Sequence, residues 1–453
     1  MNELTSEHLQ LLQEIERLKE EIKKKEIVKI EGFKVSAYYD NVVYFREKCP
    51  FFYDKAGLFW WWDKENFKYI LVDEVDIMTA IDKGLGFAGE TVTSGIKAGY
   101  LEAFRRVGRE NIPKNPPKNW VQFKDKIINI ITSEKMEVTS EFFFTNPIPW
   151  TIGDDTETPV MDKIFTEWIG GGDNKILYEI LAYCTLPSYP INRIFCLLGG
   201  GSNGKSKYLE IIRKFIGASN VTTTELGTLL NSRFEKTRLH KKLVCMMGET
   251  NCESINETDL LKKLSGDVDI IGFEYKNKGF FEDINFAKII IATNNLPDTI
   301  DRTDGFYRRW LIIDFPNQFT EKVDIFKTIP DEEFSALACK SIAIMRDILL
   351  KREFYNEGTL EERRKRYEDR SDPFGKFWKD SIIESEGHIS KRQFKEKLDQ
   401  WCRENRFRIA SDRTVFVQMK ERGIFEGKVY AEWHTNEGIK PQYRAWMNIC
   451  WKE

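Results

Sequence analysis

Histidine is scarce in this chain: His8, His240, His388 and His434 are the only four in 453 residues, and they stand far apart. No H-x-x-x-H pair and no Cys/His cluster occurs, so the usual zinc-site spacings are excluded. The eight cysteines, Cys49, Cys184, Cys196, Cys245, Cys252, Cys339, Cys402 and Cys450, are scattered without a C-x-x-C pair. Several lie in apolar runs and read as reduced core side chains. No apolar run approaches the roughly 18 residues needed to span a bilayer. The opening residues, MNELTSEHLQ, lack the basic region and apolar core of a signal peptide. A cytoplasmic location without a membrane partner is the expectation. The net charge is only −3, so affinity for a polyanion has to come from local patches. Internal repeats are absent.

What is present fits a multidomain enzyme: 41% of the residues are apolar and 31% charged, and the length allows about three domains. The most informative stretch is INRIFCLLGGGSNGKS, residues 191–206. An apolar strand runs into Gly199-x4-Gly204-Lys205-Ser206, and KYLEIIRKFIG follows with the apolar spacing of a helix. A glycine-rich turn between strand and helix lets successive N–H groups, here from Gly199 through Gly201, Ser202, Asn203 and Gly204, point at phosphate oxygens without side-chain interference. In this pattern Lys205 reaches the β- and γ-phosphates and Ser206 ligates Mg²⁺. ATP with Mg²⁺ is the expected ligand pair.

Two further strands end in polar residues. LVCMMGET carries Glu249 at a strand end, placed to polarise an attacking water, and KIIIATNNLP carries Asn294, suited to hold that water or the γ-phosphate. DRTDGFYRRWLIIDF sets Arg308 and Arg309 just before another apolar strand, where an arginine can stabilise transition-state charge at a neighbouring subunit's nucleotide. Paired arginines there are otherwise solvated or salt-bridged. Between these strands two extended runs flank Lys276-Asn277-Lys278-Gly279, which reads as a hairpin presenting two ammonium groups.

GGGSNGKS, LVCMMGET, the KKLSGD segment with its basic hairpin, KIIIATNN and FYRRWLIIDF, in that order, resemble superfamily 3 helicases of the poxvirus-type and phage or plasmid primase-helicase branch. The resemblance covers about residues 138–320. It reaches upstream to SEFFFTNPIPW, TPVMDKIFTEWIG and LYEILAYCTLP, which look like the helical region preceding the ATPase core in that branch. By resemblance, Gly201, Asn203, Gly204, Lys205 and Ser206 match the phosphate loop, Glu249 the hydrolytic glutamate and Asn294 the polar sensor. Arg309 matches the arginine finger best, by its distance to Phe315, with Arg308 second. Lys276 and Lys278 fall on the DNA-tracking hairpin. Gly248 departs from many ATPases of this class, which carry a second acid there, so metal coordination would rest on Ser206, phosphate and water. The resemblance implies a ring, usually a hexamer, moving 3′ to 5′ on single-stranded DNA. It also implies a virus, plasmid or integrated element as the source, host cytoplasm if viral, and leaves room for a separate primase or loader.

The remaining segments are read from their residues. Leu4, Leu11, Ile15, Leu18 and Ile22 define an amphipathic helix within residues 1–30. FFYDKAGLFWWWD predicts a hairpin around Asp54–Gly57, with Trp60 and Trp62 on one face and Phe59 and Trp61 on the other, packed into a small core. Asp73, Glu74 and Asp76 faintly suggest polymerase-type acids, but a helix N-terminus explains them better. NIPKNPPKNW, residues 111–120, breaks or kinks the N-terminal half, and ERRKRYEDRSDP, residues 362–373, reads as a hinge. Residues 391–428 hold eleven Lys or Arg against six Asp or Glu in a helix–turn–helix–strand order. That pattern suggests a winged helix with Arg413, Lys420 and Arg422 as DNA contacts, against the alternative of a solvated basic face.

The expected architecture is α/β: an AAA+-type P-loop NTPase core with an N-terminal mixed α/β domain, a helical collar and a C-terminal winged helix. Its boundaries are an amphipathic helix at 1–30, the mixed domain at 31–135, the collar at 136–190, the ATPase core at 191–330, a helical linker at 331–372 and the winged helix at 373–453. The expected function is ATP-dependent DNA unwinding by a homo-oligomer on single-stranded and forked DNA. The alternative is a replication initiator or regulator that binds DNA and uses ATP only to assemble. A small-molecule kinase would leave the basic hairpin and paired arginines without a purpose.

Overall fold

The computed structural model describes residues 34–87, 93–170, 172, 174–248, 254–255, 257–276, 279–320, 325–405, 407, 409–430 and 441–452. The amphipathic segment at 1–30, Glu249 and Lys278 lie outside the described residues. The chain divides into two units, one comprising residues 1–114 with 140–143 and the other 115–139 with 144–453. The division therefore falls inside the proline-rich stretch 111–120 and ahead of the boundary drawn at 135 from sequence. No helix among the described residues is long and apolar enough to cross a membrane.

In the first unit a three-stranded antiparallel sheet, Phe51–Tyr53, Phe59–Asp63 and Lys68–Val72, packs with helices Tyr38–Lys48 and Ser94–Glu110. Asp54 closes the hairpin by accepting from Leu58 N (2.9 Å) and Trp60 Nε1 (2.8 Å), and Gly57 takes the left-handed φ of +77° the turn requires. The aromatics alternate as a pleat dictates: Trp62 packs with Tyr69 and Trp60 with Phe52 and Phe143, while Trp61 meets Phe45 and Phe59 meets Tyr53. Asp73 and Asp76 cap the helix Glu74–Phe87 reciprocally, Asp73 accepting from the N–H of Val75 and Asp76, and Asp76 from the N–H of Asp73. Glu74 pairs with Arg105 at 2.7 Å. These acids are thus used locally.

The second unit is built on a five-stranded parallel sheet. We number its strands β1 (Ile194–Leu198), β2 (Val221–Thr223), β3 (Val244–Met247), β4 (Lys288–Thr293) and β5 (Trp310–Asp314). Their spatial order is β5-β1-β4-β3-β2. The central strands are continuous apolar runs because both faces are covered. Phe195, Leu197, Ile290 and Leu311 enter one core, and Ile194, Cys196, Ile289, Ile291 and Ile312 the other. Helix α1 (Pro159–Ile169) packs in the first core, as does α2 (Lys205–Ile216), which follows β1.

The charged stretch at 362–373 is helical up to Ser371. It lies in helix α3 (Leu360–Ser371), started by a Thr359/Glu362 capping box. Tyr367 buries its ring against Phe306, Tyr307 and Trp310, while Arg366 and Arg370 hold Asp314 at 2.7 and 3.2 Å. A buried aromatic and a set of ion pairs, which also includes Arg363 with Glu357 (2.8 Å) and Arg364 with Asp304 (2.7 Å), dock the helix, and the composition conceals this. Beyond it come a helix Pro373–Ser381, a strand Ile382–Ser390, helices α4 (Lys391–Glu404) and α5 (Asp412–Glu421), and strands Glu426–Tyr430 and Gln442–Trp451. The three strands form one antiparallel sheet with 442–451 central, over a core including Phe377, Phe394, Met419 and Trp446.

Candidate functional site

The glycine-rich loop leaves the C-terminal end of β1 and enters α2 at Lys205, so the chain turns at the edge of the sheet where α/β folds open their clefts. Gly199 N donates to Thr293 O (3.3 Å), fixing the loop's start to β4. Gly201 and Gly204 have φ of +101° and +91°, and Ser202 sits at +49°, a backbone that side chains other than glycine rarely adopt. A Cβ on Gly199 would fall 1.9 Å from Asn203 Nδ2 and 2.7 Å from Phe315 O. On Gly204 it would fall 2.5 Å from Trp168 Nε1. The loop is therefore shaped by close approach as well as by backbone freedom.

Lys205 is 5% exposed, and its ammonium donates to Gly199 O (2.5 Å), Asn294 Oδ1 (3.1 Å) and Asn203 Oδ1 (3.2 Å). Asn203 in turn donates to Phe315 O (3.3 Å) from a buried position. The structure thus brings Lys205 and Asn294 together across residues far apart in sequence. Ser206 is exposed on the cleft, and Gly248, which follows β3, lines it too. The cleft holds about 1010 Å³. Val160, Ile164, Trp168, Leu209, Phe319 and Ile325 give it an apolar wall beside Lys163 and Glu167. Phe319 N bonds Ser202 O (2.8 Å), which folds the chain after β5 over the loop.

Sequence reasoning missed this wall. Trp168 and Phe319 reach the loop through tertiary packing alone, and no local spacing announces them.

The matches to known proteins are partial. Residues 197–309, from β1 through the loop to Arg309, match a family of unknown function (DUF5906). No curated protein matches the chain. Among solved structures it is similar to the apo NrS-1 C-terminal region (305–718), at 14% identity and a TM-score of 0.49, with 85% of each chain covered. It is also similar to the A form apo NrS-1 C-terminal region, at 12% identity and a TM-score of 0.46, covering 92% of this chain and 99% of that one.

The other residues singled out in sequence separate from one another. Arg309 is 7% exposed; its Nε donates to Ser265 Oγ (3.1 Å) and its Nη1 to Gly305 O. Burial and the adjacent Arg308 cation hold its guanidinium below the usual range. Arg308 is exposed. Lys276 is exposed at the turn between the paired strands Ile270–Glu274 and Phe280–Ile284. In the C-terminal domain Arg413 and Lys420 are exposed. Arg422 instead stacks over Phe374 (4.9 Å) and Trp378 (5.6 Å) and donates to Gln418 Oε1 (2.6 Å), so its cation is engaged within its own domain.

Substituting Gly204 tests the loop geometry directly. Gly204→Ala is expected to cost about 2–3 kcal/mol of stability, from left-handed strain of about 1 kcal/mol plus overpacking against the indole. In a Trp168→Ala background only the strain remains, about 1 kcal/mol. Equal costs in the two backgrounds, measured by urea unfolding, would show that the indole contact carries none of the effect.

Proposed function

We propose that this chain is an ATP-driven DNA helicase with an AAA+-type P-loop core, a homo-oligomer whose subunits share nucleotide sites, and a C-terminal winged helix. The observation that carries the reading is the pairing of Lys205 with Asn294. A loop lysine after β1 meets a polar residue at the end of the adjacent strand β4, beside a cleft large enough for a nucleotide. The left-handed φ of Gly201 and Gly204 supports a phosphate ligand, because such a turn before a helix aims backbone N–H groups into the loop.

In this reading the phosphates take the place of the oxygens now holding Lys205, and Asn294 contacts the γ-phosphate or the attacking water. The hydroxyl of Ser206, a hard oxygen donor exposed on the cleft, suits Mg²⁺, which keeps most of its own waters. Mg²⁺ when bound supplies charge neutralisation on the phosphates. Glu249 activates the water. The apolar wall of Ile164, Trp168 and Phe319 receives the base. Exposed Arg308 serves the neighbouring subunit's nucleotide, and the hairpin bearing Lys276 and Lys278 tracks single-stranded DNA.

The test is unwinding of a forked duplex with ATP and Mg²⁺ by the wild type and by Glu249→Gln. Unwinding by the wild type alone is the expected result. ATP hydrolysis that is slow and indifferent to single-stranded DNA, with no unwinding, would turn the reading toward an initiator that uses ATP for assembly.

A further inference from the structure

Helix α5 is capped by Ser411, whose Oγ accepts from Thr414 N (3.1 Å), and it buries Val415 and Met419 in the C-terminal core. At 100° per residue, the opposite face carries Arg413, Val417 and Lys420, with Phe416 on its flank, where its ring meets Trp446 (6.2 Å) beneath the Lys391 ammonium (5.9 Å). Phe416 is 47% and Val417 43% exposed. Arg413 and Lys420 are exposed and pair with no carboxylate among the described residues. Glu421, at the edge of this face, accepts from Gln418 Nε2 (3.1 Å).

Two apolar side chains bracketed by two uncompensated cations, one helical turn either side, form a surface unlike either a solvated charged face or an apolar docking groove. Its complement is an anionic ligand with apolar groups set between its charges. Duplex DNA has that chemistry in the major groove, where phosphates line the walls and the thymine C5-methyl is the one apolar group on a base edge.

We propose that α5 reads thymine methyl groups through Val417 and Phe416, with Arg413 and Lys420 on the flanking phosphates, so that the C-terminal domain prefers thymine-bearing duplex. This rests on the winged-helix reading above and adds a base preference to it. Arg422 is held by Phe374 and Gln418, and Lys391, which stands over Phe416, is paired with Glu426 (3.0 Å), so the phosphate contacts fall to Arg413 and Lys420.

The experiment measures binding of the full chain to a blunt T-rich duplex and to the same duplex with uracil replacing thymine, which removes only the methyl groups. The wild type is expected to bind the uracil duplex about three- to fivefold more weakly per contacted methyl. Val417→Ser should bind both duplexes alike, at the weaker level, and Val417→Ile should restore the difference. Arg413→Glu with Lys420→Glu should weaken both duplexes equally. Equal wild-type affinity for the two duplexes would overturn the thymine preference and leave the winged helix as a DNA-binding domain. No duplex binding by the wild type, with single-stranded DNA still bound, would overturn the DNA assignment of this face and point to an acidic protein partner.

Discussion

Arg308→Ala is expected to bind ATP normally and hydrolyse it at least about 10³-fold more slowly, the usual scale for losing an arginine finger. Arg309→Ala is expected to fail differently. Its guanidinium is buried against Ser265 Oγ and Gly305 O, so truncation leaves a cavity and unpaired polar groups. The result is lost stability, about 3 kcal/mol, with turnover falling only as folded protein is lost. A mixing experiment separates action in cis from action in trans. Lys205→Ala subunits keep Arg308 but cannot hydrolyse, and Arg308→Ala subunits keep a whole loop but lack the finger. In the proposed ring, mixed oligomers contain sites where an intact Arg308 faces an intact loop, so hydrolysis should reappear. If two inactive variants stay inactive in every ratio, with mixed oligomers confirmed by light scattering, a finger in trans is ruled out.

Lys288→Met is expected to stabilise the protein below pH 7 and to lose that advantage by pH 10. Lys288 begins β4 fully buried, with its ammonium donating to Leu186 O between the rings of Tyr183 (5.3 Å) and Tyr189 (5.8 Å). Burial pushes its pKa down to about 7 from 10.5, opposed by Cys184 and Asp267. Between those values the unfolded chain holds a proton that the folded chain has released, so stability rises with pH across that window. Below it both states are charged and the desolvation cost is borne in full, on the order of 5 kcal/mol. Methionine removes that cost and leaves Leu186 O without its donor, about 1–3 kcal/mol the other way, so the net gain at pH 6 is about 2 kcal/mol or more. Comparing thermal midpoints of the two proteins from pH 6 to 10 isolates this group. A difference that does not change with pH would mean the lysine titrates near its ordinary value.

The burial that sets Arg309 apart from Arg308, and the burial of Lys288, are not visible in a linear reading, and the reason lies in which interactions are local. The strands IFCLL, VCMM, KIIIAT and WLIID announce themselves because buried parallel strands need unbroken apolar runs. The hairpin at 51–63 is legible because period-two alternation and an Asp–Gly turn are short-range rules. Arg308 and Arg309 are neighbours with the same chemistry, and the four-residue helix Asp304–Tyr307 decides which of them turns inward. Arg422 looks like a surface cation until Phe374 and Trp378 arrive from the helix Pro373–Ser381. Likewise α3 reads as a charged hinge because most of its docking is made by charged side chains, Arg363 with Glu357, Arg364 with Asp304, and Arg366 and Arg370 with Asp314, while Leu360 and Tyr367 are too little apolar signal to mark a buried face.

The three oxygens around Lys205 have a thermodynamic consequence of their own. A free lysine side chain gives up close to 2 kcal/mol of rotamer entropy when it is fixed. Here that loss occurs during folding, since Gly199, Asn203 and Asn294 already hold the ammonium. In the proposed nucleotide complex the phosphates therefore do not have to immobilise a mobile lysine chain. The enthalpy of binding should respond strongly to the charge of the terminal phosphate, and its entropy little.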